Sequence, residues 1–190
     1  MPVNTEQPDP AELAALRRTF ADLDGVADPL GWPAVHAFEA RHGVVLPEPY
    51  RTFVAEIADG SRSGPPDYGL IGLAALPSDW GAGRPARDLS RPFPLTAAWN
   101  WESDEETPEE ELDTLVEQVC NDGSIVLGTD GCGMYWHLIV TGPHRGHIWF
   151  VADVGATPFG TDFGHTTAPT GFTAWVTHWH TGHPWFDADA

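Results

Sequence analysis

Residues 124–152 read SIVLGTDGCGMYWHLIVTGPHRGHIWFVA, and they decide the fold. Three apolar runs stand in a row, Ser124 to Leu127, Tyr135 to Val140 and His147 to Ala152. Between them lie Gly128-Thr129-Asp130-Gly131-Cys132-Gly133 and Thr141-Gly142-Pro143-His144-Arg145-Gly146, both rich in turn formers. Connections this short join antiparallel neighbours, because a parallel crossover needs a dozen residues or more. The middle run is apolar on both faces, with Trp136, Leu138 and Val140 on one and Tyr135 and Ile139 on the other. Two apolar faces predict a strand covered on both sides and flanked by others in its sheet.

Helical patterns lie outside this region. Asp9-Pro10-Ala11-Glu12 carries an N-cap, a proline at the first helical position and a glutamate placed for a capping box. Leu13, Leu16, Phe20 and Leu23 follow at helical spacing, and Gly25 stops the run. A second helix is predicted over Trp32–His42, with Trp32, Val35 and Phe38 inward and Gly43 as stop. A third begins after Leu46-Pro47, sets Tyr50, Phe53, Val54 and Ile57 on one face, and stops at Gly60. Thr107-Pro108-Glu109-Glu110 reads as a capping box opening a fourth, with Leu112, Leu115, Val116 and Val119 as its stripe. Phe172, Trp175, Val176 and Trp179 give the last, ended by Gly182 and Pro184. Helices around hairpin-linked strands make an α+β class, with an antiparallel or mixed central sheet and flanking helices.

Residues 61–106 are mostly irregular, and Tyr68–Leu73 and Leu95–Trp99 are predicted as short strands. A length of 190 residues suits one domain. Residues 1–8 read as a loose tail and 9–190 as the domain, with an acidic insertion at about 100–120. No stretch reaches the ~20 apolar residues of a membrane-spanning helix. Met1 to Pro10 carries neither a basic nor an apolar leader region, so a cytoplasmic location is expected. Cys120 and Cys132 read as free thiols in a reducing compartment, with a bridge between them left open.

The charge is lopsided. The net charge is −19, and the nine basic residues are all Arg. Residues 1–91 hold 13 acids against eight Arg; residues 92–190 hold 15 acids against Arg145 alone. Nine acids crowd the sixteen positions 102–117. Such a surface repels nucleic-acid phosphates and anionic membranes and draws in basic partners. The plain alternative is solubility, with the acids of the first turn also suiting a helix N-terminus.

Several patterns resemble chemical motifs in part. Gly128, Gly131 and Gly133 precede a strand rather than a helix, so they read as a hairpin turn and not a phosphate loop. Asp22, Asp24 and Asp28 lack the calcium-loop pattern. His178, His180 and His183 are spaced for neither a zinc helix nor a knuckle, so no metal site is assigned. Ser124 or Cys132 would need a base, for which His137 is the neighbour, but no nucleophile elbow or oxyanion hole is marked. His137 reads as a hydrogen-bonded core histidine. Arg145 reads as a partner of a carboxylate or of backbone carbonyls. No catalytic residue and no cofactor are assigned.

A resemblance then emerges. Leu46-Pro47-Glu48-Pro49-Tyr50-Arg51-Thr52-Phe53, leading through Gly64-Pro65 to Tyr68-Gly69-Leu70, resembles the opening of the SUKH superfamily. Arg91-Pro92-Phe93-Pro94-Leu95-Thr96 with Trp99 is similar to an actinobacterial-type branch of it, as are Leu127-Gly128, Gly131-Cys132-Gly133 and the run from Val140 to Trp149. The likeness spans about Leu46 to Gly182. Asp59–Gly64 departs from it as a longer loop, and the acidic segment looks like a variable insertion. The superfamily includes a yeast cell-wall-assembly regulator and many bacterial immunity proteins. The resemblance therefore implies a fold without catalysis and a role in binding and neutralising a toxin, of nuclease or deaminase type.

The expected function is accordingly a non-catalytic immunity protein whose partner is a basic toxin domain. The alternatives are a regulatory scaffold of the cell-wall-regulator type and an unrecognised enzyme using His137 or the C-terminal histidines. The expected partner surface is Glu102, Glu105, Glu106, Glu109, Glu110, Glu111 and Asp113, with Trp99 and Trp101 as aromatic anchors.

Overall fold

A computed structural model describes residues 6–78, 80 and 86–187. Helix α1 spans Pro10–Ala21, α2 Trp32–His42 and α3 Tyr50–Glu56. Strand β1 is Trp99–Asn100, and α4 is Glu109–Asn121. Strands β2 Ser124–Gly131, β3 Met134–Ile139, β4 Ile148–Val151 and β5 Gly155–Pro158 follow, and α5 Phe172–His180 closes the order. The five strands form one antiparallel sheet in the order β1-β5-β4-β3-β2. The fold is α+β, and β3 lies between two neighbours as its sequence predicts.

The helix boundaries follow their local signals. Asp9 accepts a bond from the Ala11 amide at 2.8 Å and caps α1. Gly43 ends α2 in the left-handed region, at φ 67°. At Cys132 and Gly133 φ is 51° and 77°, and Gly131 pairs with Met134. The β2–β3 hairpin thus closes on a two-residue turn with both central residues at positive φ, the geometry that matches strand twist. Gly128 sits at a register shift inside β2, where a Cβ would collide with the Pro66 ring and the Gly69 carbonyl. The expected hairpin connection 128–133 is therefore strand as far as Gly131, bent where another loop crosses it.

Strand alternation sends side chains to two cores. On one face, Leu16 and Phe20 of α1, Val35 of α2, Phe53 of α3 and Trp175 of α5 pack with Trp136, Leu138 and Ile148. On the other, Ile139, Trp149, Val151 and Ala156 pack with Phe93, Trp101, Val119 and Cys120. Leu112 and Val116 of α4 join this second cluster. The acidic helix is therefore also the cover of the sheet's second face.

Three expectations need correction. Tyr68–Leu73 is not a strand: it makes one isolated bridge, Ser61 to Leu70, and a lone backbone bond from the Ile71 amide to the Leu127 carbonyl, because Gly69 turns at φ 98° against the Ser61 backbone. Of Leu95–Trp99 only Trp99 is strand, since pairing with β5 begins at Trp99–Ala156. The Thr107 capping box does not form: Pro108 is the N-cap of α4, and the Thr107 hydroxyl donates to Asp104 instead. The described end of the tail is also held, since Glu6 accepts from the Glu48 amide and from Arg145. The longer loop Asp59–Gly64 is pinned to the exit of α1, with the Arg62 amide on the Gly25 carbonyl and the Ser63 hydroxyl on that of Asp24.

Candidate functional site

The acidic segment runs from the end of β1 over the outer face of α4. Glu102, Glu105, Glu106, Glu109, Glu110, Glu111 and Asp113 are all exposed. None of them forms an ion pair with a described residue. Seven neighbouring carboxylates without cations make a one-signed field that projects into solvent. Glu109, Glu110 and Glu111 occupy the first turn of α4, where unpaired amides and the helix dipole offset some of their mutual repulsion.

Asp104 holds the segment in shape. Its carboxylate accepts the Trp99 indole N–H at 2.8 Å, the Thr107 hydroxyl at 2.9 Å, and the amides of Glu106 and Thr107 at 2.9 and 3.1 Å. The indole bond foremost, then the bonds from Thr107 and Glu106, bring its pKa down to about 2. Donors aimed at an ionised carboxylate favour that form. Asp104 is therefore ionised at neutral pH.

The two expected anchors separate. Trp101 is 7% exposed, belongs to the second core, and donates to the Asp153 carbonyl at 2.5 Å. It cannot also reach a partner, and nothing in its local sequence distinguishes a buried tryptophan from an exposed one. Trp99 is half-buried, 5.3 Å ring to ring from Trp101, and part of it faces outward.

The residues considered for catalysis are placed elsewhere. Ser124 Oγ lies 2.9 Å from His137 Nδ1, and both residues are at 0% exposure. This is the expected core histidine, and a hydroxyl so enclosed offers no surface to a substrate. Cys132 is exposed in its turn, Cys120 is buried in the second core, and no disulfide joins them. His178 Nε2 lies 2.6 Å from the Pro184 carbonyl oxygen, and His183 Nδ1 2.7 Å from the Thr181 hydroxyl. Among the described residues no three His, Cys, Asp or Glu side chains converge as a metal would require. Arg145 does both things expected of it, pairing with Glu6 at 2.5 Å and donating to the Val45 and Leu46 carbonyls.

The motif around residues 46–53 is structural. Arg51 donates to both carboxylate oxygens of Glu39, at 2.7 and 2.9 Å, beneath the Trp32 ring. Glu39 also accepts the Leu46 amide at 2.9 Å. Burial raises the Glu39 pKa, but the Arg51 and Leu46 bonds outweigh it and leave the carboxyl below its usual range.

Among the described residues no helix is long and apolar enough to cross a membrane. In a comparison with protein families, the model of the SMI1 / KNR4 family (SUKH-1) matches residues 34–170, well over half of the chain. That span holds α2, α3, α4 and all five strands. No curated protein and no solved structure matches the chain.

Proposed function

The chain belongs to the SMI1 / KNR4 family (SUKH-1), and on that premise we propose that it is a non-catalytic protein-binding domain acting as an immunity protein. It binds a cognate toxin domain of nuclease or deaminase type in the cytoplasm and covers its substrate surface. The observation that carries this reading is the run of exposed, unpaired acids from Glu102 to Asp113, shaped by Asp104. A toxin that holds nucleic-acid phosphate presents cations to do so, and an acidic ridge is complementary to them. Long-range attraction of this kind sets how fast partners meet and which partners are rejected.

The test is co-expression with the toxic C-terminal domain of a large protein encoded beside this chain. The reading expects restored growth and a stable one-to-one complex. Continued toxicity together with no complex contradicts it, and stable capture of housekeeping proteins instead supports a regulatory scaffold.

A further inference from the structure

The face of the sheet covered by helices is not covered to its edge. Trp136 of β3 packs on Trp175 and Trp185, and Phe150 of β4 packs on Trp136 and Phe186 at 4.9 and 5.6 Å. There the cover stops. Beyond Phe150, Gly155 and Thr157 of β5, Asn100 of β1 and the preceding Ala98 leave this face open. The result is an open recess of about 340 Å³ with the Phe150–Phe186 pair as one wall and Trp99 and Val154 also in its lining. Its size is at the low end of the ~300–1,000 Å³ range of ligand pockets, enough for a side chain rather than a large cofactor.

Two further observations single it out. Five large apolar side chains stand exposed among the described residues, and two of them, Val154 at 43% and Phe186 at 45%, border this recess. The acidic segment also begins at its rim. The Glu102 amide bonds the Val154 carbonyl at 3.3 Å, and Asp104 accepts from the Trp99 indole, so the exposed acids that follow leave from this edge. Among the described residues no arginine lines the recess.

We infer that this recess is the anchoring pocket of the partner interface, taking an apolar side chain flanked by lysine or arginine on a protein partner. The inference rests on the proposed function and specifies where and what that partner contacts. An apolar floor with an acidic rim has the form of an interface hot spot, where one desolvated side chain supplies most of the affinity and the rim supplies orientation. Other occupants fit poorly. A second copy of a chain with net charge −19 brings like charge to the rim, and nucleic acid or an anionic membrane does the same.

The test uses the full chain and a labelled short peptide in which one phenylalanine stands between lysines and arginines. Fluorescence anisotropy gives the affinity, and amide chemical shifts give the place. We expect binding that moves the signals of Gly155 and Thr157. Replacing the peptide's phenylalanine by glycine should weaken it about ten-fold. Thr157→Trp, which fills the recess, should do the same, as should Phe186→Ala, which removes a wall without touching a strand. Absence of binding, equal binding by the glycine peptide, or equal binding by folded Thr157→Trp overturns the inference. The two proposals fail separately. A cognate toxin bound unchanged by Thr157→Trp leaves the immunity reading standing and removes the pocket. A pocket that binds the peptide as expected, in a protein that protects against no toxin, removes the immunity reading alone.

Discussion

The indole N–H of Trp99 donates to Oδ2 of Asp104 at 2.8 Å, so the first residue of β1 is tied to a carboxylate within the acidic run. Because Asp104 also accepts from Thr107 and Glu106, one side chain sets the path of the loop that leads into α4. Asp104→Ala should therefore speed hydrogen exchange at the Glu106 and Thr107 amides, while the α4 interior stays protected. Unchanged protection at both amides would mean that the loop is held by something else.

Trp101 separates stability from binding. It is buried and its indole is bonded to the Asp153 carbonyl, so Trp101→Ala should cost ~3–5 kcal/mol through the cavity and the lost bond. Trp101→Phe keeps much of the packing and should cost ~1–2 kcal/mol, mostly for the unpaired carbonyl. Urea unfolding reads both values. A folded Trp101→Phe protein should keep its partner affinity; loss of affinity at full stability would restore Trp101 to the interface.

The Arg51–Glu39 pair is the stabilising centre of the α2–α3 corner. Arg51→Met strands a buried carboxylate and should cost ~3–5 kcal/mol. Adding Glu39→Gln to it should recover part of that loss, since the Glu39 charge is then gone and only Glu48, 3.9 Å from Arg51, still lacks its cation. The Glu39 pKa is lowered on folding, so the pair's contribution is present above the ordinary glutamate pKa and fades as pH falls below it. A double variant less stable than Arg51→Met alone would contradict this account.

His165 makes the fold sensitive to acid. It is 6% exposed, both ring nitrogens are buried without a hydrogen-bond partner, and it packs against Phe159 and Phe186. Burial, with a contribution from His178 and against the pull of Asp187, brings its pKa down to about 4. The unfolded chain binds this proton at about 6.5. Stability from a neutral His165 is thus complete above that value and is lost as pH falls from 6.5 toward 4, by ~3 kcal/mol in all. His165→Leu should lose less stability than the parent between pH 7 and pH 4.5 in urea unfolding. Parallel losses in the two proteins would show that His165 is not responsible.

What could be read from the sequence follows from the range of the forces involved. The Asp9 cap, the Gly43 stop and the Leu16–Phe20 spacing are local, and α1 and α2 lie where they predict. The β2–β4 hairpins were legible because apolar alternation and turn residues sit in one stretch. Strand β5, four residues that include Gly155 and Pro158, carries no such signal and exists because β4 and β1 pair with it. Thr107 shows the same limit in reverse: its capping signature was local, but Asp104 competed for the hydroxyl. The exposed acids were visible as a run of carboxylates, whereas the recess between Phe150 and Phe186 joins side chains 36 positions apart and could not be seen.

The measurement that tests the central claim most directly is the association rate of this protein with its purified cognate toxin domain, at low and high salt. It should be made for the parent and for the variant carrying Glu109→Lys, Glu110→Lys and Glu111→Lys. The acidic ridge predicts a rate at least ~10-fold slower for the variant at low salt, with the two rates converging as salt screens the field. Equal rates for parent and variant at low salt would contradict it, and would remove the ridge from the path by which the partner arrives.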